Sequence, residues 1–412
     1  MTDSITEHGI QRRTLGTLAL TQSLTGVGVG STIAAGGLLV ASISQSEALA
    51  GLAQTFSVLG AAAMALPLAS LTRRGGRRLA LATGYSVATL GTLSAIVGGS
   101  HKILPLMLIG TFLIGASSAA NYQSRFAAAD LSTPDTRARD LSFVVWASTI
   151  GAVLGPNLMA PSGLFATSLG LPKLTGPYIL AFIMLVLGAI NIWIRLKPDP
   201  YLTHLDITHG THGVRPAKIP AREVLTYVSK IPNALLGLLA IAIGHVSMVS
   251  IMVMTPVHMA HVDVSLNIIG IVISVHVAGM YALSPFVGRL SDRIGRIKVI
   301  QFGVVLLLLA GIIAGSSYPS NSVQLGVGLF LLGLGWSCTL IAGSTLLTES
   351  IADDVRASVQ GTSDTVMNLS GAIGGALAGV IIATTSYGWL CTLASLPVLA
   401  LGLFATKRAV AA

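Results

Sequence analysis

Charge is scarce in this chain: only 9% of its 412 residues are Asp, Glu, Lys or Arg, against 53% hydrophobic. An ordinary soluble domain carries charge on about a quarter of its residues, so a water-soluble globule is excluded. Cysteine is almost missing too, with Cys338 and Cys391 alone, both inside long apolar runs. That rules out a disulfide framework. The two thiols are expected to pack as small apolar side chains, with auxiliary metal ligation as the lesser alternative. Aromatic residues make up 5%, few for a roomy cavity walled by rings. Neither a basic stripe interleaved with aromatics nor a sizeable polar domain is present, which removes nucleic acid from the partners. The scattered Ser and His residues form no nucleophile motif, so no enzyme is expected.

Long apolar stretches are what the chain does have. A segment of roughly 20 apolar residues crosses a ~30 Å hydrocarbon core. Such segments fall near 15–43, 47–70, 79–99, 103–129, 140–161 and 176–196, and, after a polar stretch, near 232–259, 266–287, 297–316, 323–348, 357–384 and 388–406. The reading is an all-α membrane protein of twelve transmembrane helices, with the lipid bilayer as its first partner. A membrane barrel is excluded because the segments lack the alternating pattern of membrane strands. The run after Arg13 is too long for a cleavable signal and leads straight into a second span. With both termini on the cytoplasmic side, 22 of the 24 Lys and Arg fall there, leaving Lys102 and Lys173 outside. That asymmetry satisfies the positive-inside rule and accounts for the net charge of +9 as leaflet anchoring.

The chain repeats itself. Gly288-Arg-Leu-Ser-Asp292-Arg293-Ile-Gly295-Arg296-Ile-Lys298 follows the eighth span, and a degraded copy, Ala69-Ser-Leu-Thr-Arg73-Arg74-Gly75-Gly76-Arg77-Arg78, follows the second at an offset of 219. Gly151-x3-Gly155 echoes Gly371-x3-Gly375 at an offset of 220. Two six-helix halves are expected, residues 1–196 and 232–412, with a cytoplasmic linker at 197–231. The motif G-x3-D-R-x-G-R resembles the loop signature of the major facilitator superfamily, which implies that fold. By that resemblance Gly288, Asp292, Arg293, Gly295 and Arg296 are gating residues; the plain alternative is a basic turn that caps helices. Arg73 stands where the family usually has Asp, which puts the first-copy network in doubt. Gly151-x3-Gly155-Pro156 also resembles an antiporter motif of the fifth span, but without its trailing glycines, and small residues four apart pack helices closely on their own account.

Methionine and histidine are unevenly spread. The chain holds 11 Met and 9 His, and nine of these twenty fall between His245 and Met280, where an even spread would put about two. Met248-x3-Met252 and His276-x3-Met280 place donors four apart, on one helix face. Thioethers and imidazole suit Cu(I), whereas carboxylates would suit harder cations, and a histidine inside a span is a functional candidate by default. In depth order His261, Met259 and His258 would stand at the outer mouth, then Met252, then Met248 facing His276, then His245 and Met280. Met248, Met252, His276 and Met280 are the candidate copper ligands; His245, Met254, His258, Met259 and His261 are auxiliary candidates, each with packing or interfacial placement as the plainer alternative.

These two motifs in these spans resemble the CcoA-like copper importers. The resemblance implies a copper-importing monomer in the bacterial inner membrane, feeding assembly of cbb3-type cytochrome oxidase through an acceptor the sequence does not identify. Copper is cargo here and no cofactor is expected. Rival readings are a proton-coupled exporter of drugs or other organic molecules on the same fold, and a membrane sensor or assembly factor. Asp364 is the one acidic residue well inside a span, expected to pair with a cation such as Arg125 or else to relay protons. His204, His209 and His212 in the linker read as solvated.

Overall fold

The computed structural model describes residues 2–46, 49, 51–209, 219–260 and 266–410. His261, Asp263, His212, Arg215, Lys218 and Glu47 lie outside them. The regular structure among the described residues is helical, with no strand. Ten helices are long and apolar enough to cross a membrane, and a bent pair makes an eleventh.

In the first half these are α1 (Thr2–Ser44), α2 (Leu52–Ser100), α3 (Leu104–Ala129), the bent pair α4 (Arg137–Asn157) and α5 (Met159–Ser168), and α6 (Gly176–Arg195). Helix α2 runs for 49 residues, about 74 Å at 1.5 Å per residue. That is more than twice the hydrocarbon thickness, so it holds two spans rather than one. They part at Gly76, whose φ of 83° and ψ of 178° break the helix where a side chain would be strained. Counting both gives the twelve spans read from the sequence. Between α4 and α5 the chain bends by 53°, next to Pro156, which has no N–H to donate to the preceding turn.

The polar stretch between the halves carries two short helices, α7 (Pro200–His209) and α8 (Ala221–Ser229). In the second half α9 (Pro232–Ala260) is followed by one span in which a short turn separates α10 (Leu266–Tyr281) from α11 (Ser284–Ile294). The sequence suggested one span there with the motif in a loop. Instead Gly288 to Ile294 are helical, and the turn is Gly295, at φ 95°, which joins α11 to α12 (Arg296–Gly315). Helices α13 (Ser322–Glu349), α14 (Arg356–Thr384) and α15 (Tyr387–Val410) complete the chain.

The residues cluster into two compact units. The first comprises Met1–Ser132, Ala147–Pro220 and Asp353–Thr365; the second comprises Thr133–Trp146, Ala221–Ala352 and Val366–Ala412. Within the first unit small residues set the spacing of α1 and α4: a Cβ on Gly151 would lie 2.5 Å from the Gly26 Cα, and one on Gly155 would lie 2.8 Å from the Gly30 carbonyl carbon. Gly151-x3-Gly155 thus does the packing work of small residues in membrane helices. Large apolar side chains such as Leu90, Val97, Ile190 and Trp193 are exposed, as a hydrocarbon solvent requires and water does not.

Candidate functional site

All the described Met and His candidates lie in the second unit, on α9 and α10. Both helices are apolar enough that a polar group on them is conspicuous. His276, on α10, is fully buried. Its Nδ1 lies 2.8 Å from the Leu329 carbonyl oxygen on α13. A carbonyl can only accept, so Nδ1 carries the proton, and in the neutral ring Nε2 is a bare lone pair. That Nε2 is buried and has no hydrogen-bond partner among the described residues. Met280, one turn further along, is buried as well.

On α9, Met248 and Met259 are buried, while Met252, Met254 and His258 are half-buried. His258 stacks on Tyr387, with ring centroids 4.2 Å apart and planes 14° from parallel. His245 is buried and accepts a hydrogen bond at Nδ1 from the Trp336 indole N–H on α13, 3.1 Å away. Trp336 in turn meets the edge of Tyr281 on α10 at 5.8 Å between centroids.

Helices α9 and α10 touch each other only slightly, whereas α13 packs along both. The sequence-derived ladder omitted α13. Leu329 and Trp336 escaped it for a physical reason: a backbone carbonyl leaves no mark in a sequence, and the indole finds its imidazole 91 residues away.

No group of three or more His, Cys, Asp or Glu among the described residues could hold a metal. A metal on this path would therefore have to be held by thioethers with an imidazole. Both cysteines pack on α12: a Cβ on Gly303 would lie 2.9 Å from the Cys338 Cβ, and one on Gly315 would lie 2.8 Å from the Cys391 Cβ.

The second motif copy also belongs to this unit. Asp292 accepts from the Arg139 N–H at 2.8 Å and the Ala138 N–H at 3.1 Å, capping the amino end of α4 where unsatisfied amides and the helix dipole favour an anion. Arg296 pairs with Asp292 at 2.8 Å and Glu349 at 3.0 Å, and donates to the Pro134 carbonyl at 2.6 Å. A Cβ on Gly288 would come within 2.6 Å of the Ala138 carbonyl oxygen, so glycine is what admits the α4 end. Arg293 is exposed.

Most of the buried charges sit in the first unit, while buried Asp140 belongs to the second. Arg125 and Asp364 form an ion pair at 2.6 Å, both side chains buried. Arg77 grips Asp130 with two bonds of 2.7 and 3.1 Å and donates to Gln360 at 2.6 Å. Arg73 donates to the Ser358 hydroxyl at 3.0 Å in the first turn of α14. Asp199 accepts from the Arg78 N–H at 2.7 Å and the Tyr201 N–H at 3.0 Å, tying α7 to the first copy. His204, read as solvated, lies 3.3 Å from Asp353 and 2.9 Å from Arg356. Asp130 was not singled out in the sequence, yet the repeat points to it: 219 residues on from Arg77 and Asp130 stand Arg296 and Glu349, which also pair.

Comparison with known proteins agrees with this architecture. The model of the Major Facilitator Superfamily matches residues 18–263 and 236–410. The uncharacterized MFS-type transporter YdeG of Bacillus subtilis is 35% identical over 92% of this chain and 88% of its own length. The riboflavin transporter RfnT of Brucella anthropi is 27% identical over 93% and 92%. The multidrug resistance protein MdtL of Shewanella oneidensis is 35% identical over only 22% of each chain. Among solved structures, a bacterial homologue of the iron transporter ferroportin in an outward-facing state superposes with a TM-score of 0.75 at 13% identity, over 96% of this chain and 98% of that one. The fucose transporter FucP in its outward conformation gives 0.70 at 16%, over 95% and 98%.

Proposed function

We propose that this chain, which belongs to the Major Facilitator Superfamily, is a secondary transporter that imports copper. The observation carrying the proposal is His276, a buried imidazole whose N–H is committed to a backbone carbonyl and whose Nε2 meets no hydrogen-bond donor among the described residues. Ligating histidines almost always donate their second ring nitrogen in this way, because it fixes the tautomer and raises the basicity of the other. Met280 stands one turn away, and Met248 and Met252 supply two further thioethers on α9, a set suited to Cu(I). A bare cation in a low-dielectric span would cost tens of kcal/mol, so successive donors must replace lost ligands as the ion advances.

In this reading the basic loops face the cytoplasm of a bacterial inner membrane, and copper entering there supplies cytochrome oxidase assembly. An inside-negative potential then favours cation entry by about 2.3 kcal/mol per 100 mV, whether or not a proton moves with it. A second reading is transport of a planar organic solute, favoured by the full-length similarity to RfnT. Drug export, the further alternative, finds support only in the partial match to MdtL.

The test is uptake of radiolabelled copper and radiolabelled riboflavin, measured separately in cells expressing the protein and in cells with empty vector. Copper accumulation above the vector level, unaffected by excess riboflavin, is expected. Riboflavin accumulation without copper accumulation would select the second reading.

A further inference from the structure

The two histidines buried among the described residues of the second unit are presented in opposite ways, and α13 makes the difference. His276 meets an acceptor, the Leu329 carbonyl, so its Nδ1 holds the proton and its Nε2 is bare. His245 meets a donor, the Trp336 indole, so its Nδ1 lone pair is occupied and the neutral ring carries its proton on Nε2. For His245 to ligate through Nε2, the proton would have to move to Nδ1, setting two N–H groups against each other 3.1 Å apart. Ligation through Nδ1 would displace the indole and strand a buried donor.

The His276 contact depends on register. His276 lies against Leu329, Met280 against Gly333 and Ser284 against Ser337, each pair 53 residues apart, so α10–α11 and α13 run parallel with their four-residue stripes in step. Gly333 permits the close approach: a Cβ there would lie 2.4 Å from the His276 carbonyl oxygen and 2.8 Å from the Met280 nitrogen. Any side chain at 333 therefore pushes α10 off α13 and loosens the bond that sets the His276 tautomer.

We propose that α13 determines the donor set of the metal path: Leu329 and Gly333 present His276 as a ligand beside Met280, and Trp336 withholds His245, so that a single imidazole joins the thioethers. The proposal rests on the copper reading. It makes Gly333 a positioning residue and Trp336 a specificity residue, because a second imidazole would move the site from a Cu(I) preference toward Zn(II) and Cu(II).

The experiment uses the purified full chain in detergent. Imidazole 15N shifts are recorded without metal and assigned through H245Q and H276Q. Cu(I) affinity is then measured by competition with a chromophoric chelator. The expected result is an Nδ1–H tautomer at His276 and an Nε2–H tautomer at His245. H276Q and Gly333→Ala should each weaken Cu(I) binding about tenfold or more, and H245Q less than about threefold. Trp336→Phe should make the affinity sensitive to H245Q and raise Zn(II) binding.

Equal losses from H245Q and H276Q, or the same tautomer at both residues, overturn the role of α13 while leaving copper transport standing. Failure of the unaltered protein to bind Cu(I) overturns the copper reading and this inference with it. The tautomers and the single histidine variants decide the matter even where Gly333→Ala or Trp336→Phe fails to fold.

Discussion

The two copies of the basic motif solve one problem with opposite charges. In the second copy Asp292 places a carboxylate on the first amides of α4, and Arg296 bridges it to Glu349, with 11% of the arginine and 23% of the glutamate side chain exposed. In the first copy Arg73 stands at the corresponding position and reaches a hydroxyl, Ser358, on the first turn of α14. A cation at a helix amino end gains nothing from the dipole. That copy relies instead on Arg77 and Asp130, 1% and 0% exposed, reinforced by Gln360. Asp199 approaches so closely that a Cβ on Gly76 would fall within 2.6 Å of its Oδ1. An exchange of Asp for Arg in a loop is thus accompanied by a buried ion pair and a carboxylate, Asp199, just before α7. The sequence departure marks a differently built copy, not a missing one.

The comparison is broken most severely at its buried member. Asp130→Asn leaves the Arg77 guanidinium buried without its counter-charge and is expected to cost about 3–5 kcal/mol, read as a large fall in the thermal unfolding midpoint of the purified protein. Asp364→Asn belongs to the same class because its partner Arg125 is equally buried. If the pair is structural, transport should fall by the same fraction with and without an imposed pH gradient. Loss of the gradient dependence alone would make Asp364 a proton relay.

A smaller effect is expected at the helix cap. Asp292→Ala removes the acceptor for two amides of α4 and should cost about 1–2 kcal/mol. Arg73→Ala should cost less than Asp292→Ala in the same unfolding assay; the reverse order would contradict the asymmetry. Smallest is Glu349→Gln, in a partly solvated pair, expected below about 1 kcal/mol and shrinking in high salt.

Much of this was legible in the sequence because hydrocarbon imposes simple rules. Apolar runs gave the spans, and glycines at fixed offsets gave the repeat. The breaks were harder to see. Gly76 interrupts a helix that otherwise continues through a basic loop, and the stop after Tyr281 divides a run that reads as uniformly apolar. Asp364 was expected to pair with a cation such as Arg125 or else to relay protons, and the structure places the two 2.6 Å apart. Met248, Met252, His276 and Met280 stood out by spacing. Their support did not, because a carbonyl, an absent Cβ at Gly333 and an indole from a distant helix carry no local signal. His204 was misjudged for a related reason, as its partners Asp353 and Arg356 come from another part of the chain.

A broader contrast runs beside the motif copies. The first unit buries opposite charges, Arg77 with Asp130 and Arg125 with Asp364, while the described Met and His candidates of the second unit lie on the apolar helices α9 and α10. Soft, uncharged donors are what a path for Cu(I) calls for, and the central claim is that four of them bind copper instead of filling space. Radiolabelled copper uptake in cells decides it, with M248L, M252L, M280L and H276Q compared at matched protein level and with Met107→Leu, a buried methionine of the first unit, as control. Methionine to leucine nearly conserves volume and costs less than about 1.5 kcal/mol, so a well-expressed variant that stops accumulating copper has lost a ligand. Abolished uptake in the four variants beside normal uptake in the control is the predicted result; normal uptake in all four would contradict the account.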